Sequence, residues 1–432
     1  MQQVLDSVWV LVCAFLVFFM HAGFALVESG FVRRKNVVMV LLKNVSVVAI
    51  GSIGFYLAGY GFMFGEGNAF IGLSMFAPAS GEDVGTLPLF VFLFFQLMFA
   101  ATSCTIVSGA IAERSRLTTF FIFCALALTF IYPVVGHWVW GGGWLASWGF
   151  YDFAGSTVVH AVGGGMALAG VLVIGPRLDR YTESGKPRLM PAHSFPFAAL
   201  GVLILWLGWF GFNGGSTLTA SPVDIGLVIL STNLAASAGF LTALIHAKLR
   251  VGTLDLSMAL NGALAGLVSI TAGANAITPV ESLVVGSIGG LLVVEGVILL
   301  DRFQIDDPVG AIPVHGVCGL FGTIVVGLLG QAEGARGVLH GGELSFLVVQ
   351  ILGSVIATGF AFVAASALWL ALRNVPGGVR VSEDHEREGL DLAECGVMAY
   401  GEDRSGLRSS AMREAFTSPK LEVAEAIERI GA

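Results

Sequence analysis

Eleven long apolar stretches run through this chain, and they restrict it to one class of structure. They lie near residues 8–30, 40–64, 88–112, 117–139, 156–175, 195–215, 223–247, 255–273, 278–300, 310–330 and 345–372. About 20 apolar residues are needed for a helix to cross a bilayer. Only 12% of the residues are charged, against about 25% in soluble domains. The sequence therefore predicts an all-α polytopic membrane protein with eleven transmembrane helices.

The basic residues predict the orientation of these helices. Fourteen Lys and Arg precede Arg373, and thirteen of them fall in alternate connections. These are Arg33, Arg34, Lys35, Lys43, Arg114, Arg116, Arg177, Arg180, Lys186, Arg188, Lys248, Arg250 and Arg302. Cytoplasmic loops carry an excess of Lys and Arg, so these connections are assigned to the cytoplasm. With eleven spans, the N-terminus is then outside and the C-terminus inside.

Two segments, TVVHAVGG around His160 and IPVHGVCG around His315, place a histidine inside an apolar span. An ionisable side chain at this depth is by default a functional-site hypothesis. An aspartate precedes each histidine by eight residues, Asp152 in one segment and Asp307 in the other. On the predicted topology the two aspartates lie at opposite faces. Spans 1–5 and 6–10 would then form an inverted repeat, a design common among transport proteins.

Composition changes sharply near the C-terminus. Residues 1–372 are interpreted as the membrane domain and residues 373–432 as a cytoplasmic tail rich in charged residues. The last stretch, SPKLEVAEAIERIGA, has apolar residues at helical spacing after a serine N-cap, which predicts a terminal amphipathic helix.

Several longer segments resemble the ammonium transporters of the Amt/Mep/Rh type. They are HAGFALVESGFVRRKN (21–36), FAATSCTIVSGAIAER (99–114), DFAGSTVVH (152–160), WFGFNGGS (209–216), HGVCGLFGT (315–323) and EGLDLAECGVMAYG (388–401). They cover nearly the whole chain to about Gly401 and occur in the order of the family. The resemblance implies a homotrimer in the cell membrane, with one pore in each subunit.

The same resemblance implies a recruitment site for ammonium formed by Phe99, Trp140 and Ser216. An indole face attracts a desolvating cation, and a serine hydroxyl can accept an N–H bond that ammonium donates and potassium cannot. Trp138, Trp144 and Trp148 are nearby alternatives to Trp140. Trp140 is preferred because it precedes Asp152 by twelve residues, as in the family.

Deeper in the pore, the resemblance implies a gate formed by Phe99 and Phe212. Without their motifs, these two would be interpreted as core aromatics. His160 and His315 would follow side by side, sharing a proton so that one ring nitrogen donates and another accepts. Asp152 is expected to hold backbone N–H groups near the outer mouth, and Glu28 is expected to be a packing or capping carboxylate.

The function that follows is a transporter carrying ammonium inward with net charge. Its expected partners are ammonium or ammonia and membrane lipid, with no nucleic acid. Neither a nucleophile–base pair nor a cofactor motif is present, so an enzyme is not expected. The five cysteines show no metal-binding or disulfide spacing, and two histidines are too few ligands for a metal site.

An ammonium receptor that signals through the tail is the alternative. Family members that bind a PII-type regulator commonly resemble EGLDLSEHGERAYG in this region. The present chain has Cys395 where histidine is usual, and Val397 and Met398 in place of Glu-Arg. These changes argue against PII docking and permit a different regulator or output module.

Overall fold

The computed structural model describes residues 1–400, and they form a helical bundle. It contains ten apolar helices long enough to cross a membrane and one shorter apolar helix, α8; in chain order they are Gln2–Phe31 (α1), Arg34–Phe64 (α2), Leu89–Ala110 (α3), Leu117–Ser147 (α4), Ser156–Ile174 (α5), Phe195–Gly215 (α6), Pro222–Val251 (α7), Leu256–Thr271 (α8), Pro279–Arg302 (α9), Ile312–Leu329 (α10) and Leu344–Leu372 (α11). Within the described part, each coincides with a predicted span. The all-α polytopic fold is therefore confirmed. Helix α8 is the shortest, at 16 residues.

Close contacts between backbones hold the bundle together. Helix α1 packs along α6, and a Cβ added at Gly201 would lie 2.6 Å from the backbone nitrogen of Val27. In the same way, α7 and α8 meet where a Cβ at Gly262 would lie 2.6 Å from the carbonyl oxygen of Gly239. Without a hydrophobic driving force in lipid, small residues stabilise helix pairs by letting them approach.

Four of these helices contain a wider, π-helical turn. The turns are Phe55–Gly59 in α2, Ala127–Ile131 in α4, Ser156–Ala161 in α5 and Ile312–Val317 in α10. Such turns are rare and often occur at functional sites. The turns in α5 and α10 contain His160 and His315, respectively.

The two ends of the bundle differ in chemistry. One end, called here the basic end, contains Arg33, Arg114 and Arg177, with Glu113 bound between Arg33 and Arg177. The opposite end, called the aromatic end, contains the tryptophans that follow Gly136 and a short hairpin, Gln331–Ala332 (β1) and Ala335–Arg336 (β2).

Two short helices of the tail, Glu383–Glu388 (α12) and Leu390–Cys395 (α13), lie against the basic end. The Asp391 carboxylate accepts the Met39 backbone N–H at 2.9 Å, and the Asn36 side-chain oxygen accepts the Leu390 N–H at 2.9 Å. The tail as far as Tyr400 is therefore docked on the membrane domain. The predicted amphipathic helix in residues 418–432 lies outside the described residues.

Lys43, which the sequence analysis assigns to a cytoplasmic connection, has a different position in the structure. Lys43 is fully buried inside α2, where its ammonium group donates to the Ser108 carbonyl oxygen at 2.7 Å. It therefore belongs to the interior of the bundle rather than to a cytoplasmic loop.

Candidate functional site

A stack of two phenylalanine rings separates the aromatic end from the interior. The Phe99 ring, on α3, lies on the Phe212 ring, on α6, with centroids 4.0 Å apart and planes inclined by 29°. Both side chains are fully buried. In this position a hydrated ion would have to displace the rings before it could pass.

Trp140 and Ser216 border this stack on the side of the aromatic end. The Trp140 ring meets Phe99 edge to face at 6.2 Å, and its indole N–H donates to the Asp152 carbonyl oxygen at 2.8 Å. The Ser216 hydroxyl donates to the Phe212 carbonyl oxygen at 2.9 Å. Because its hydrogen is already used, the lone pairs of Ser216 are free to accept.

The other candidate tryptophans point elsewhere. The Trp138 N–H donates to the Phe70 carbonyl oxygen at 2.9 Å, and its ring packs on Phe360. Trp144 packs between Trp138 and Trp148. Among the described aromatic pairs, Trp140 is therefore the tryptophan that contacts Phe99.

The two histidines lie side by side beyond the phenylalanine stack. The Nδ1 atoms of His160 and His315 are 3.1 Å apart, and their ring planes are inclined by 21°. The exposed fraction of His160 is 0% and that of His315 is 3%. The Phe212 ring lies 5.3 Å from the His160 ring, so the phenylalanine stack and the histidine pair are adjacent.

Close packing of α5 and α10 brings the histidines together. A Cβ at Gly164 would lie 2.3 Å from the Cα of Gly316, the residue after His315. The hydroxyls of Thr157 and Thr323 bridge the same two helices at 2.7 Å. These contacts set the separation of the two imidazole rings.

Asp152 organises the start of α5. Its two carboxylate oxygens accept the backbone N–H groups of Gly155, Ser156, Thr157 and Val158 at 2.8–2.9 Å. Burial raises the pKa of the Asp152 carboxyl, and these four N–H groups oppose that rise by stabilising the charged form.

Asp307 has an equivalent place at the start of α10. It accepts the N–H groups of Val309, Gly310 and Ile312 at 2.7–3.3 Å. In both segments a glycine three residues after the aspartate has a positive φ, 109° at Gly155 and 77° at Gly310. Only glycine adopts such a backbone readily, so each aspartate and its glycine form a matching turn ahead of a histidine.

Trp209 contacts the histidine pair, although the sequence motifs did not single it out. Its indole stacks on the His160 ring at 4.9 Å with a 17° inclination, and its N–H donates to the Thr271 hydroxyl at 2.8 Å. It therefore packs on one face of the His160 ring. Its position at the start of WFGFNGGS was the available signal.

Comparison with known proteins agrees with this architecture. The model of the Ammonium Transporter Family matches residues 8–400. Ammonium transporter Amt2 of Archaeoglobus fulgidus is 44% identical, over 91% of this chain and 88% of that protein. Ammonium transporter Amt2 of Haloferax mediterranei is 41% identical, over 92% and 90%.

Solved structures give the same result. A protein described as "Sensor Amt Protein" superposes with a TM-score of 0.87 at 39% identity, covering 91% of this chain and 98% of that one. Mep2 of Saccharomyces cerevisiae gives a TM-score of 0.82 at 30% identity, covering 93% and 92%. The apolar helices and these relatives make the chain a multi-pass protein of the cell membrane and a transporter rather than an enzyme. It belongs to the ammonium transporter family.

Proposed function

We propose that this protein carries ammonium across the membrane through a path formed by Trp140 and Ser216, the Phe99–Phe212 stack, and the His160–His315 pair. The observation that carries the proposal is the 3.1 Å contact between the two buried Nδ1 atoms, directly beyond the stacked rings. Two imidazoles in this contact can share one proton and pass it from one ring to the other.

Selectivity against potassium follows from the same arrangement. Ammonium and K⁺ are close in size, so a cavity of suitable radius does not separate them. Ammonium can give up a proton, whereas K⁺ cannot. If ammonia and the proton pass the histidines in separate steps, the net movement carries charge while K⁺ is refused.

Ser216 and Trp140 supply the step before the gate. The indole face attracts a cation by about 0.5–2 kcal/mol. The Ser216 hydroxyl accepts a directional N–H bond, which a spherical ion does not form. Asp152 holds the start of α5 in place through four N–H groups and adds negative potential near the recruitment site.

We also propose an orientation of the protein in the membrane and an oligomeric state. The basic end faces the cytoplasm by the distribution of Lys and Arg, and the tail from Arg373 onward lies on that side. Three chains assemble as a homotrimer, each with its own pore. A partner of the tail other than a PII protein fits the residues at 395, 397 and 398.

The test is a current measurement on reconstituted protein. Liposomes that contain the protein receive a jump in ammonium chloride, and the current is recorded with a potassium chloride jump as control. We expect a sustained, ammonium-specific current that is lost in the His160→Asp/His315→Glu double variant. A potassium current of similar size would contradict the proposal, as would an ammonium current that survives in the double variant.

A second function is favoured by one specific observation, the likeness to the structure titled "Sensor Amt Protein". A receptor would bind ammonium at the same site and signal through the tail. The same recording separates the two functions. A brief binding transient without sustained current, together with measurable ammonium binding, would replace transport by sensing.

A further inference from the structure

A buried carboxylate lies on the far side of the histidine pair from the gate. Glu28, on α1, has an exposed fraction of 2%. Together with His315 it lines a cavity of about 20 Å³, whose other walls include Phe24, Thr105 and Asn261. A space of this size holds about one water-sized molecule, and an ammonium ion is of similar size.

One oxygen of this carboxylate has no partner. Oε2 of Glu28 accepts the Ser108 hydroxyl at 2.8 Å, whereas Oε1 is buried and forms no hydrogen bond within residues 1–400. A buried acceptor without a donor is costly, and more so when it carries charge. A donor held in the cavity, which Glu28 lines, would satisfy this oxygen.

The nearby basic residue does not fill this place. Lys43 donates to the Ser108 carbonyl oxygen at 2.7 Å, and its ammonium group lies 4.6 Å from the Phe120 ring centroid. Ser108 thus bridges the two charges through its hydroxyl and its carbonyl. Of the pair, Glu28 lines the cavity and Lys43 does not.

The cavity lies next to a vestibule at the basic end. It shares Asn261, Val309 and Gly310 with a larger vestibule of about 240 Å³ that is also lined by Arg177 and Asp307. Gly109 keeps the space beside Glu28 open, since a Cβ there would lie 2.7 Å from the Val309 side chain and 3.3 Å from Glu28 Cγ.

We propose that the free carboxylate oxygen of Glu28 forms a second ammonium site, between His315 and the vestibule at the basic end. This inference rests on the proposed function, because it places the site on the path that follows the histidine pair. Ammonia arriving at this point takes up the proton that leaves the pair, which forms its fourth N–H bond. The carboxylate accepts one N–H bond from the resulting cation and offsets its charge.

The test compares Glu28→Gln, which keeps the shape and removes the charge, with Glu28→Asp, which keeps the charge and shortens the side chain. In the liposome recording we expect the ammonium current of Glu28→Gln to fall about tenfold, as for loss of a hydrogen bond to a charged group. Glu28→Asp should retain more current than Glu28→Gln. The opposite order, or a Glu28→Gln current equal to that of the wild type, would show a packing role and overturn the proposal.

Removal of the Glu28 charge leaves Lys43 buried alone, so a second variant guards against misfolding. Glu28→Gln/Lys43→Met removes both charges and should show the same loss of current. Full current in this double variant would refute the inner site. Ser237→Ala, on α7, leaves both buried charges in place and serves as the control for this series.

A binding measurement separates this inference from the proposed function. Ammonium chloride, compared with sodium chloride, raises the melting temperature of a protein that binds ammonium. We expect part of that rise to disappear in Glu28→Gln and to remain in Ser237→Ala. If the wild type carries no current but shows this Glu28-dependent rise, transport fails and the inner site stands. If the wild type transports and the rise is unchanged in Glu28→Gln, the inner site fails and transport stands.

Discussion

At the scale of single residues, the contact between the histidines restricts where their protons can lie. A hydrogen bond between two Nδ1 atoms requires a hydrogen on one and a lone pair on the other. In the neutral pair, the donating ring therefore has a bare Nε2 and the accepting ring has a protonated Nε2. One side of the pair then offers an acceptor and the other a donor. Ammonia can bind either, since it both donates and accepts.

Ser216 should affect the binding of ammonium rather than the maximal rate of transport. Ser216→Ala removes an acceptor at the proposed recruitment site and leaves the phenylalanine stack and the histidines in place. We expect the ammonium concentration for half-maximal current to rise about fivefold, as for loss of about 1 kcal/mol, with little change in maximal current. A concentration series of ammonium jumps measures both quantities.

Ser237→Ala is the matched control for this substitution. The Ser237 hydroxyl also donates to a carbonyl four residues earlier, at 2.8 Å to Asn233, but it lies on α7 away from the path. It should leave the half-saturating concentration unchanged. Equal effects of the two variants would remove Ser216 from the recruitment site.

Asp306 should make the stability of the basic end depend on pH in acid. Burial alone would raise the pKa of the Asp306 carboxyl, but the Arg177 guanidinium, bonded to both of its oxygens at 2.8 Å, holds that pKa well below its usual range. Arg180 lies 3.3 Å away, and Arg114 adds a further positive charge. A lowered folded pKa stabilises the protein above the unfolded pKa of about 4. This stability is lost as the pH falls from there through the folded pKa.

The corresponding variant is Asp306→Asn, measured by thermal unfolding in detergent from pH 7 to pH 3. We expect a loss of about 3 kcal/mol at pH 7, because Arg177 is left buried with one partner fewer, and a smaller decline below pH 4 than in the wild type. Asp179→Asn breaks a pair that is 3.1 Å long but more than half exposed and should cost little. An Asp306→Asn curve parallel to that of the wild type would contradict this assignment.

At the scale of helices, the π-helical turns of α5 and α10 place the two histidines. Each turn begins after an aspartate with its glycine, and the helices then meet at Gly164 and Gly316. A wider turn carries the side chains to a different angle from that of a regular helix. Side-chain direction at residues 160 and 315 therefore depends on backbone packing that extends well beyond the histidines.

Gly164→Ala should separate these helices. The new Cβ would come within 2.3 Å of the Gly316 Cα, which cannot yield as a flexible side chain would. We expect loss of the ammonium current and a lower melting temperature. Gly359→Ala is the control, since a Cβ at that helical position meets nothing within 4 Å and should stabilise α11 by about 0.5–1 kcal/mol. A fully active Gly164→Ala protein would show that the histidine geometry does not depend on this contact.

The sequence predicts where the helices lie much better than it predicts which side of each helix faces the pore and which faces lipid. Bilayer thickness sets the length of an apolar span, so all eleven could be placed from the chain alone. Inside lipid, however, apolar residues occur on every side of a helix, and periodicity does not distinguish a pore face from a lipid face. Trp209 was missed for this reason, and Lys43 was counted with the loops because its partner, Ser108, is 65 residues away. Phe99, Phe212 and the histidines were named from motifs, which carry positional information that hydropathy lacks.

At the scale of the whole molecule, the charge distribution and the docked tail belong to the same end. Lys35, in a connection assigned to the cytoplasm, donates from its ammonium group to the Glu386 carbonyl oxygen at 2.7 Å. The Glu394 carboxylate accepts the N–H of Leu117, the first residue of α4, at 3.0 Å. The tail thus links two connections of the basic end, so a partner that displaced it would act on α2 and α4 together.

The cysteines offer a direct test of orientation. Cys13, Cys104, Cys124 and Cys318 are buried, and Cys395 on α13 is partly exposed. A membrane-impermeant maleimide should therefore label Cys395 in inside-out vesicles and not in intact cells, and Cys395→Ser should abolish the labelling. Burial, with Asp391 and Glu394 nearby, raises the pKa of the Cys395 thiol to about 11, so labelling should accelerate as the pH is raised towards that value.

Glu333→Cys in the Cys395→Ser background places an exposed thiol at the opposite, aromatic end, and it should be labelled in intact cells only. Labelling of Cys395 from outside would reverse the proposed orientation, and with it the direction in which the gate, the histidine pair and Glu28 follow one another.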